Sequence, residues 1–340
     1  MERVRLGRTG LMVSRTAFGA LPLQRVDREE AARLLRRAFE AGINFFDTAR
    51  GYTDSEEKIG YALAGVRAHV VIATKSGATS RDGVLAHLET SLRHLRTDYV
   101  DLLQLHNPGT PPDPTDPASS YAGLLEARRR GMARHIGITN HRADVALAAV
   151  ESGLYDTLQF PLCAISSARD VELVERCRQR DVGFIAMKPL SGGLLTNARA
   201  AFAFLYQYPN VVPIWGIQRM GELEELLALA KEPPALDAEV AAAIEKDRCE
   251  LAGDFCRACG YCLPCPADIP IPMAARMGLV LRRMPYQQFL SPQWQEQMHR
   301  VEACKECGEC RERCPYGLDV PALLRRNLAD YEAFLRASGA

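Results

Sequence analysis

The sequence predicts an α/β protein in which a closed (β/α)8 barrel of the TIM type is followed by a small, mostly helical, cysteine-rich C-terminal domain. Two observations support this prediction. Between Thr16 and Ala230, short apolar runs alternate with amphipathic helical patterns. Downstream of this region the alternation stops, and eight of the 11 cysteines of the chain lie in two short runs.

Each predicted unit is an apolar strand followed by a segment with apolar residues at helical spacing. The first is TAFGALPL followed by REEAARLLRRAFEAG, whose terminal glycine is typical of a helix end. The pairs that follow are INFFD with SEEKIGYALAG, VVIATK with DGVLAHLETSLRHL, YVDLLQLH with SSYAGLLEARRRG, RHIGIT with RADVALAAVESG, TLQFP with ARDVELVERCRQR, VGFIAMK with a helix near Ala198 to Tyr208, and VVPIWG with GELEELLALAK. Strands joined by crossover helices form parallel sheets. About eight such units in roughly 250 residues favour the barrel. A doubly wound sheet is the alternative, but no G-x-G-x-x-G follows the first strand.

The barrel is predicted to occupy residues 1–235, a connecting helix or linker residues 236–252, and the cysteine-rich domain residues 253–340. The proline pair in KEPPALD breaks the strand–helix pattern, and ALDAEVAAAIEKDRCELAG leads as a helix into the first cysteine run. The residues between the two runs are expected to be mostly helical, and VPALLRRNLADYEAFLRA is expected to close the domain as a helix.

Composition argues against a nucleic-acid-binding, membrane-spanning or secreted protein. Lys+Arg and Asp+Glu both number 42, so the chain lacks the basic field of a nucleic-acid-binding protein. No apolar run reaches the roughly 18 residues of a membrane span. The N-terminal residues lack a signal-peptide core. We therefore expect a cytoplasmic protein with neither nucleic acid nor membrane as partner. In that compartment, cysteines serve as metal ligands or thiols rather than disulfides.

Four polar residues fall where a barrel carries its catalytic groups, at the carboxyl ends of the strands and in the loops beyond them. They are Asp47, Tyr52, Lys75 and His106. Each has an ordinary structural interpretation: a turn cap, a packed ring, a solvated charge at the rim and a structural imidazole. Their coincidence at one mouth of one barrel favours a shared catalytic role.

The four residue types suit carbonyl reduction. A hydride delivered to a carbonyl carbon leaves an alkoxide that needs a proton. Tyr52 is the candidate donor, and an unperturbed tyrosine has a pKa of about 10. The ammonium of Lys75 would stabilise the tyrosinate and lower that pKa. Asp47 would hold Lys75, and His106 would donate a hydrogen bond to the developing oxyanion.

The segments GINFFDTARGYTDSEEKIGYAL, VVIATK and DLLQLH resemble the aldo-keto reductases over residues 1 to about 230. The resemblance implies that Tyr52 is the general acid/base of an Asp–Tyr–Lys–His tetrad. It also implies that NADPH is the hydride carrier, bound without a Rossmann fold. GITNH and TLQFP resemble the segments that contact the nicotinamide carboxamide, and MKPLSGG and IWGIQRMGELEE those that hold the pyrophosphate and the adenosine end. The implied cofactor-binding residues are Thr139, Asn140, Gln159, Lys188, Gly216, Gln218, Arg219 and Glu225.

One departure from the family pattern concerns the cofactor. The family's last segment commonly ends in Glu-Asn, whereas this chain has Glu224 and Glu225 followed by Leu226. Arg219 is the cation nearby in sequence that a 2′-phosphate would require. NADPH is therefore the expected cofactor, with NADH as the alternative.

The cysteine runs favour iron–sulfur clusters. FCRACGYCLPCP and CKECGECRERCP each carry three cysteines at two-residue spacing, then a fourth cysteine and a proline. The second run matches the bacterial ferredoxin pattern C-x2-C-x2-C-x3-C-P, and the first is one residue shorter before its last cysteine. Structural zinc, commonly held by two distant cysteine pairs, and redox thiols are the alternatives. Cys163, Cys177 and Cys249 lie outside the runs and are expected to be unliganded thiols.

Eight ligands suffice for two 4Fe–4S clusters. In two-cluster ferredoxins the fourth cysteine of each run ligates the other cluster. Cluster one would then use Cys256, Cys259, Cys262 and Cys314, and cluster two Cys304, Cys307, Cys310 and Cys265. A fourth cysteine that serves the distant cluster need not keep a fixed interval from its own three. The mostly helical stretch between the runs resembles the helical ferredoxin type, and CGYCLPCP with IPIP resembles the C-terminal extension of a branch of aldo-keto reductases.

The two halves predict an NADP(H)-dependent oxidoreductase that reduces a carbonyl, or oxidises an alcohol, at the barrel mouth. Hydride transfer moves two electrons, whereas a 4Fe–4S cluster normally moves one. A flavin usually mediates between such partners, and no flavin fingerprint stands in the sequence, although a barrel can bind flavin without one. Relay of electrons by the clusters to an external carrier is favoured. The alternatives are purely structural clusters, or a ferredoxin-like electron-transfer protein with the barrel as docking scaffold.

Overall fold

Eight parallel strands close into a barrel in the computed structural model, which describes residues 1–251 and 254–338. A short antiparallel hairpin of β1 (Arg3–Arg5) and β2 (Met12–Ser14) precedes it. The barrel strands are β3 (Ala17–Gly19), β4 (Phe45–Asp47), β5 (Val71–Ser76), β6 (Val100–His106), β7 (Ala133–Thr139), β8 (Thr157–Pro161), β9 (Gly183–Met187) and β10 (Val211–Gly216). Each pairs with its sequence neighbours, and β10 pairs with β3 to close the ring. The predicted barrel is confirmed, and the doubly wound alternative is wrong.

Helices follow the barrel strands as the periodicity predicts. They are α1 (Arg28–Glu40), α2 (Ser55–Leu63), α3 (Arg81–Leu95), α4 (Ser120–Arg129), α5 (Ala143–Ser152), α6 (Ala168–Gln179), α7 (Ala198–Leu205) and α8 (Met220–Lys231). Side-chain caps start several of them: the Asp27 carboxylate accepts from the backbone N–H of Glu30 before α1, and Ser167 with Asp170 forms a capping box before α6. The predicted first strand is shorter than TAFGALPL, because the chain turns into a 3-10 helix at Leu21–Arg25, which contains Pro22.

The amino-terminal hairpin packs on apolar residues at the starts of the barrel strands. Leu6 and Val13 belong to one buried cluster with Phe45, Val71 and Val212, which stand at or near the first positions of their strands. The hairpin therefore covers the end of the barrel opposite the carboxyl ends of the strands. The strand–helix pattern of the sequence did not predict this hairpin.

The chain forms two compact units. Unit 1 comprises Met1–Pro189 and Arg199–Val240, and unit 2 comprises Leu190–Ala198 and Ala241–Ala340. The segment Leu190–Ala198, which follows barrel strand β9, therefore belongs to the second unit, and nothing in its composition indicated this. Among the residues that the structure describes, none of the helices has the length and apolar character needed to cross a membrane.

Unit 2 is helical, as the sequence predicted between and after the cysteine runs. Its helices are α9 (Ala238–Glu250), which begins in unit 1, α10 (Ile271–Ala274), α11 (Met277–Arg283), α12 (Pro292–His299), α13 (Glu309–Glu312) and α14 (Val320–Ser338). Buried polar groups join α14 to the helices before it. Asn327 accepts a hydrogen bond from the backbone N–H of Gly278 at 2.8 Å, and the Tyr331 hydroxyl donates to the carbonyl of Phe289 at 2.6 Å.

Candidate active site and cysteine clusters

Strand register brings the predicted catalytic residues to one end of the barrel. Asp47 is the last residue of β4, Lys75 lies near the end of β5, and His106 ends β6. Tyr52 follows β4 in a turn closed by its own backbone N–H, which donates to the carbonyl of Ala49 at 3.0 Å. The strands are parallel, so their carboxyl ends share one mouth.

Lys75 and Asp47 form a buried ion pair. Lys75 Nζ donates to Asp47 Oδ2 and to the backbone carbonyl of Thr48, both at 2.6 Å. The two side chains are 1% and 3% exposed. Burial raises the pKa of Asp47 and lowers the pKa of Lys75, because each charged form loses its water, and the pairing opposes both shifts. The pair is therefore tightly coupled and well shielded.

Tyr52 and His106 are the members of the tetrad that are only half-buried. Their rings meet edge to face, with centroids 5.7 Å apart, and Lys75 Nζ lies 5.2 Å from the Tyr52 ring centroid. Burial, assisted by the charge of Lys75, lowers the pKa of His106 to about 3. The imidazole is therefore neutral near pH 7 and offers a hydrogen bond without a positive charge.

Two buried polar residues that sequence reasoning missed support this arrangement. Gln104 Nε2 donates to Gln159 Oε1 at 3.0 Å, and both side chains help to hold the Asp47 carboxylate in its charged form. Glu56, 1% exposed, accepts from the Thr74 hydroxyl at 2.6 Å and from Arg50. The sequence could have indicated Gln104. It precedes His106 by two residues in an apolar strand, and side chains two residues apart lie on the same face of a sheet.

His141 is a further polar residue at the mouth that the sequence analysis did not single out. It is 6% exposed, and burial lowers its pKa well below the ordinary value. The positive charge of Lys188 lowers it further. Lys188 follows β9 with a left-handed backbone, at φ +58°.

Three predicted cofactor residues stand on adjacent strands of the mouth. Thr139 ends β7, Asn140 follows it, and Gln159 lies in β8; each is at most 1% exposed. Thr139 Oγ1 accepts from the backbone N–H of Asn107 at 3.1 Å, which leaves its hydroxyl proton available. Asn140 Nδ2 donates to the carbonyl of Pro108 at 2.8 Å. Their position and their remaining hydrogen-bonding capacity fit a carboxamide.

The other predicted cofactor residues gather where β10 leads into α8. Gly216 ends β10 and is exposed, and Arg219 and Glu225 are exposed on the following turn and helix. The carboxylate of Glu222 accepts from the backbone N–H groups of Gln218 at 2.9 Å and Arg219 at 3.1 Å. Arg219 thus presents its guanidinium to solvent at the start of α8, which fits an anionic group there.

The two cysteine runs adopt the same local backbone. In each run the residue before the second cysteine has a left-handed conformation, Ala258 and Glu306 both at φ +49°. In each the residue after that cysteine is a glycine at positive φ, Gly260 at +83° and Gly308 at +82°. These turns curl the chain around its own thiols. The match holds although the runs differ in their last interval.

Thiols of the two runs lie near one another in unit 2. Cys265 lines one narrow cavity together with Cys304, Cys307 and Cys310, and Cys262 touches the same cavity. Burial raises the pKa of Cys256, and the nearby Cys259 of its own run and Cys314 of the second run raise it further. This mixing of thiols from both runs fits the ligand chemistry of iron–sulfur clusters.

The remaining cysteines stand outside the two runs in the sequence. Cys163 and Cys177 are buried among residues of unit 1, and Cys249 is exposed on α9. Trp215, on the last strand, is 1% exposed and stacks on Phe202 with ring centroids 4.8 Å apart. It packs against α7, so it is a core residue.

Comparison with known proteins matches each part of the chain to a protein family or domain. A model of the aldo/keto reductase family matches residues 15–201, and a model of a 4Fe-4S dicluster domain matches residues 255–319. An L-galactose dehydrogenase from Arabidopsis thaliana is 33% identical over 56% of this chain and 66% of its own length. An NADH-specific methylglyoxal reductase from Escherichia coli is 29% identical over 58% of this chain and 70% of its own. The chain thus covers about two thirds of these relatives.

A solved structure shares the barrel. Aldo-keto reductase AKR11C1 from Bacillus halodurans, in its holo form, aligns with a TM-score of 0.64 at 24% identity, over 73% of this chain and 96% of that one. At this identity the likeness concerns the fold.

Proposed function

The chain belongs to the aldo/keto reductase family and carries a 4Fe-4S dicluster domain, and from this premise we propose that it interconverts a carbonyl compound and its alcohol with a nicotinamide cofactor. The observation that carries the proposal is the meeting of Tyr52, His106 and the buried Lys75–Asp47 pair at the carboxyl ends of neighbouring strands. These groups suit proton transfer to an oxygen at the mouth.

Bound NADPH would supply the hydride that forms the new C–H bond. The chain's residues would protonate and hydrogen-bond the carbonyl oxygen as the carbonyl π bond breaks. Tyr52 donates its hydroxyl proton to that oxygen, and Lys75, 5.2 Å from the ring centroid, stabilises the tyrosinate that remains. His106, neutral because burial lowers its pKa to about 3, donates a hydrogen bond to the developing oxyanion. Asp47 keeps Lys75 in place.

Cofactor binding is assigned to residues along the mouth. Thr139, Asn140 and Gln159 would hold the carboxamide, and Lys188 the pyrophosphate. Gly216, Gln218, Arg219 and Glu225 would hold the adenosine end. The exposed Arg219 favours NADPH over NADH. Arg219→Ala should therefore raise the KM for NADPH while leaving the KM for NADH unchanged.

The cysteines of the second unit would hold two 4Fe–4S clusters, which supply one-electron transfer. Cys256, Cys259, Cys262 and Cys314 bind one, and Cys304, Cys307, Cys310 and Cys265 bind the other. One cluster would suffice to staple a domain, so a pair favours relay to an external one-electron carrier. The converse proposal, purely structural clusters, predicts that no donor changes their state.

The test combines metal content with kinetics. Protein purified without oxygen should hold roughly eight iron atoms and matching sulfide; stoichiometric zinc without sulfide would exclude the clusters. NADPH should reduce the clusters, as followed by electron paramagnetic resonance with and without a carbonyl substrate.

Tyr52→Phe tests the general acid. It should lower kcat for carbonyl reduction by about 10²-fold or more, the size of a lost general acid. Tyr61→Phe is the matched control, because the Tyr61 hydroxyl donates only to Glu29 on an exposed helix surface at 3.3 Å. Unchanged kcat in Tyr52→Phe would remove Tyr52 from the proposed role.

A further inference from the structure

Arg276 is a buried cation with unused hydrogen-bond donors in unit 2. It stands just before α11 and is 4% exposed. Its Nη2 donates to the backbone carbonyl of Gly192 at 3.0 Å. Its Nε and Nη1 are shielded from solvent and have no acceptor among the described residues. A guanidinium in this state is costly unless an anion lies beside it.

Arg276 lines a cavity together with three acidic residues, Glu250, Asp254 and Asp330. Arg282 binds both oxygens of Asp330, at 2.6 and 2.8 Å, and Arg283 pairs with Glu250. Asp254 is exposed. Among the described residues, no carboxylate lies within hydrogen-bond distance of Arg276 Nε or Nη1, so these donors are open to another kind of anion.

Arg276 lies close to the first cysteine run, which begins with the predicted cluster ligand Cys256. A Cβ added at Gly192 would lie 3.2 Å from Arg276 Nη1 and 3.8 Å from the backbone carbonyl oxygen of Arg257, the residue after Cys256. The Sγ of Cys256 lies 3.9 Å from the backbone carbonyl oxygen of Pro272, four residues before Arg276. In agreement with this geometry, the Arg276 charge acts to lower the pKa of Cys256, against the effect of burial.

We propose that Arg276 donates N–H groups to the sulfur atoms of the cluster held by Cys256, Cys259, Cys262 and Cys314, and thereby makes it the more easily reduced of the two clusters. The inference rests on the proposed two-cluster ligation. Four thiolates outweigh the charge of a 4Fe–4S core, so the site is anionic, and an added electron makes it more so. A buried guanidinium favours that added charge, and hydrogen bonds to sulfur act in the same direction.

Among the described residues of unit 2, the structure shows no such cation at the second thiol set. The charged residues lining its cavity are Lys305, Glu306 and Glu309. Lys305 is exposed, Glu306 pairs with Arg325, and Glu309 pairs with Arg313. Within residues 254–338, no buried guanidinium or ammonium lines that cavity. The two sites therefore differ in charge, and an electron entering the pair should rest on the cluster beside Arg276.

The test is a redox titration of the full chain, purified without oxygen and reduced by dithionite with mediators, with each cluster followed by electron paramagnetic resonance. Arg276→Met should lower the equilibrium constant for reducing cluster one at least ~10-fold, which is about 59 mV for one electron. The midpoint potential of cluster two should not change. Arg276→Lys keeps the positive charge but has fewer hydrogen-bond donors, so its midpoint potential for cluster one should lie between those of wild type and Arg276→Met. Arg282→Met is the control and should change the midpoint potential of neither cluster.

A second measurement detects the contact directly in the wild-type protein. Wild-type protein with guanidino-15N arginine should show 15N hyperfine coupling to reduced cluster one in pulsed electron paramagnetic resonance spectra, and Arg276→Lys should abolish this coupling. This measurement tests the proposal even if Arg276→Met fails to assemble its clusters. An unchanged midpoint in a fully loaded Arg276→Met, or absent coupling in wild type, overturns the proposal. Protein without iron and sulfide overturns the proposed two-cluster ligation instead.

Discussion

Breaking the Lys75–Asp47 pair from either side should destabilise the barrel with opposite dependence on pH. The side chains are 1% and 3% exposed and 2.6 Å apart, so either charge left alone would be buried without compensation. In Lys75→Met, Asp47 would remain protonated in the folded protein and ionised in the unfolded chain. In Asp47→Asn, Lys75 would be neutral when folded and protonated when unfolded.

The magnitude follows from ordinary pKa values, since each pH unit is worth about 1.36 kcal/mol. Protonating a carboxyl of pKa about 3.9 at pH 7 costs about 4 kcal/mol, and deprotonating a lysine of pKa about 10.4 costs about 5 kcal/mol. Folded Lys75→Met binds one more proton than its unfolded chain, so its destabilisation shrinks as pH falls. Folded Asp47→Asn binds one fewer, so its destabilisation grows. Between pH 8 and pH 6 each should change by about 2.7 kcal/mol.

The assay is urea unfolding without oxygen at pH 6, 7 and 8, followed by the fluorescence of Trp215. The chain has two tryptophans, so a Trp294→Phe background leaves only the barrel reporter. Lys58→Met is the matched control. Lys58 is also buried, but its partner Asp54 is half exposed, so that cost should not depend on pH. Slopes of equal sign for the two tetrad variants, or a loss below about 1 kcal/mol, would refute the paired-ion state.

Burial lowers the pKa of His106 to about 3 in the folded protein, below the value of about 6.5 in the unfolded chain. The free energy of unfolding of the wild type should therefore fall by about 1 kcal/mol between pH 7 and pH 5.5 because of this residue. His106→Asn should lack this part of the decrease, as measured by the same unfolding assay. Cys265→Ser should remove about four iron atoms while sparing the cluster held mainly by the first run, and Cys314→Ser should do the reverse, as checked by iron analysis and electron paramagnetic resonance. Gly60→Ala should lower the melting temperature, because the new Cβ would lie 2.2 Å from a backbone carbonyl oxygen near the end of α3. Gly65→Ala, which meets nothing within 4 Å, should leave the melting temperature nearly unchanged.

The two units suit different kinds of electron transfer. Tyr52, Lys75 and His106 suit a two-electron step with a proton, whereas paired clusters suit single electrons. If the two clusters differ in midpoint potential, the cluster beside Arg276 would hold one electron until the second electron has been transferred. Reduction of the clusters by NADPH tests whether electrons pass between the two sites, and the dithionite titration tests which cluster takes the first electron.

The amino-acid sequence was sufficient to predict the barrel, the helical character of the second unit and the family. Periodicity shows which face of a strand or helix is buried, and eight strand–helix pairs leave few parallel topologies. Position at strand ends also sufficed to single out Asp47, Lys75 and His106, because all parallel strands end at one mouth. The spacing of the cysteine runs indicated a 4Fe–4S domain before any contact was known.

The surroundings of those residues could not be predicted from the sequence and became known from the folded chain. Gln104 meets Gln159 across 55 positions, and Arg276 meets Gly192 across 84. The transfer of Leu190–Ala198 to unit 2 and the covering hairpin are likewise absent from any local pattern. Hydrophobic periodicity records burial along one element, whereas hydrogen bonds and ion pairs between distant elements depend on the path of the whole chain. The cation beside Cys256 is therefore visible in the fold, and in the sequence it is one arginine among many.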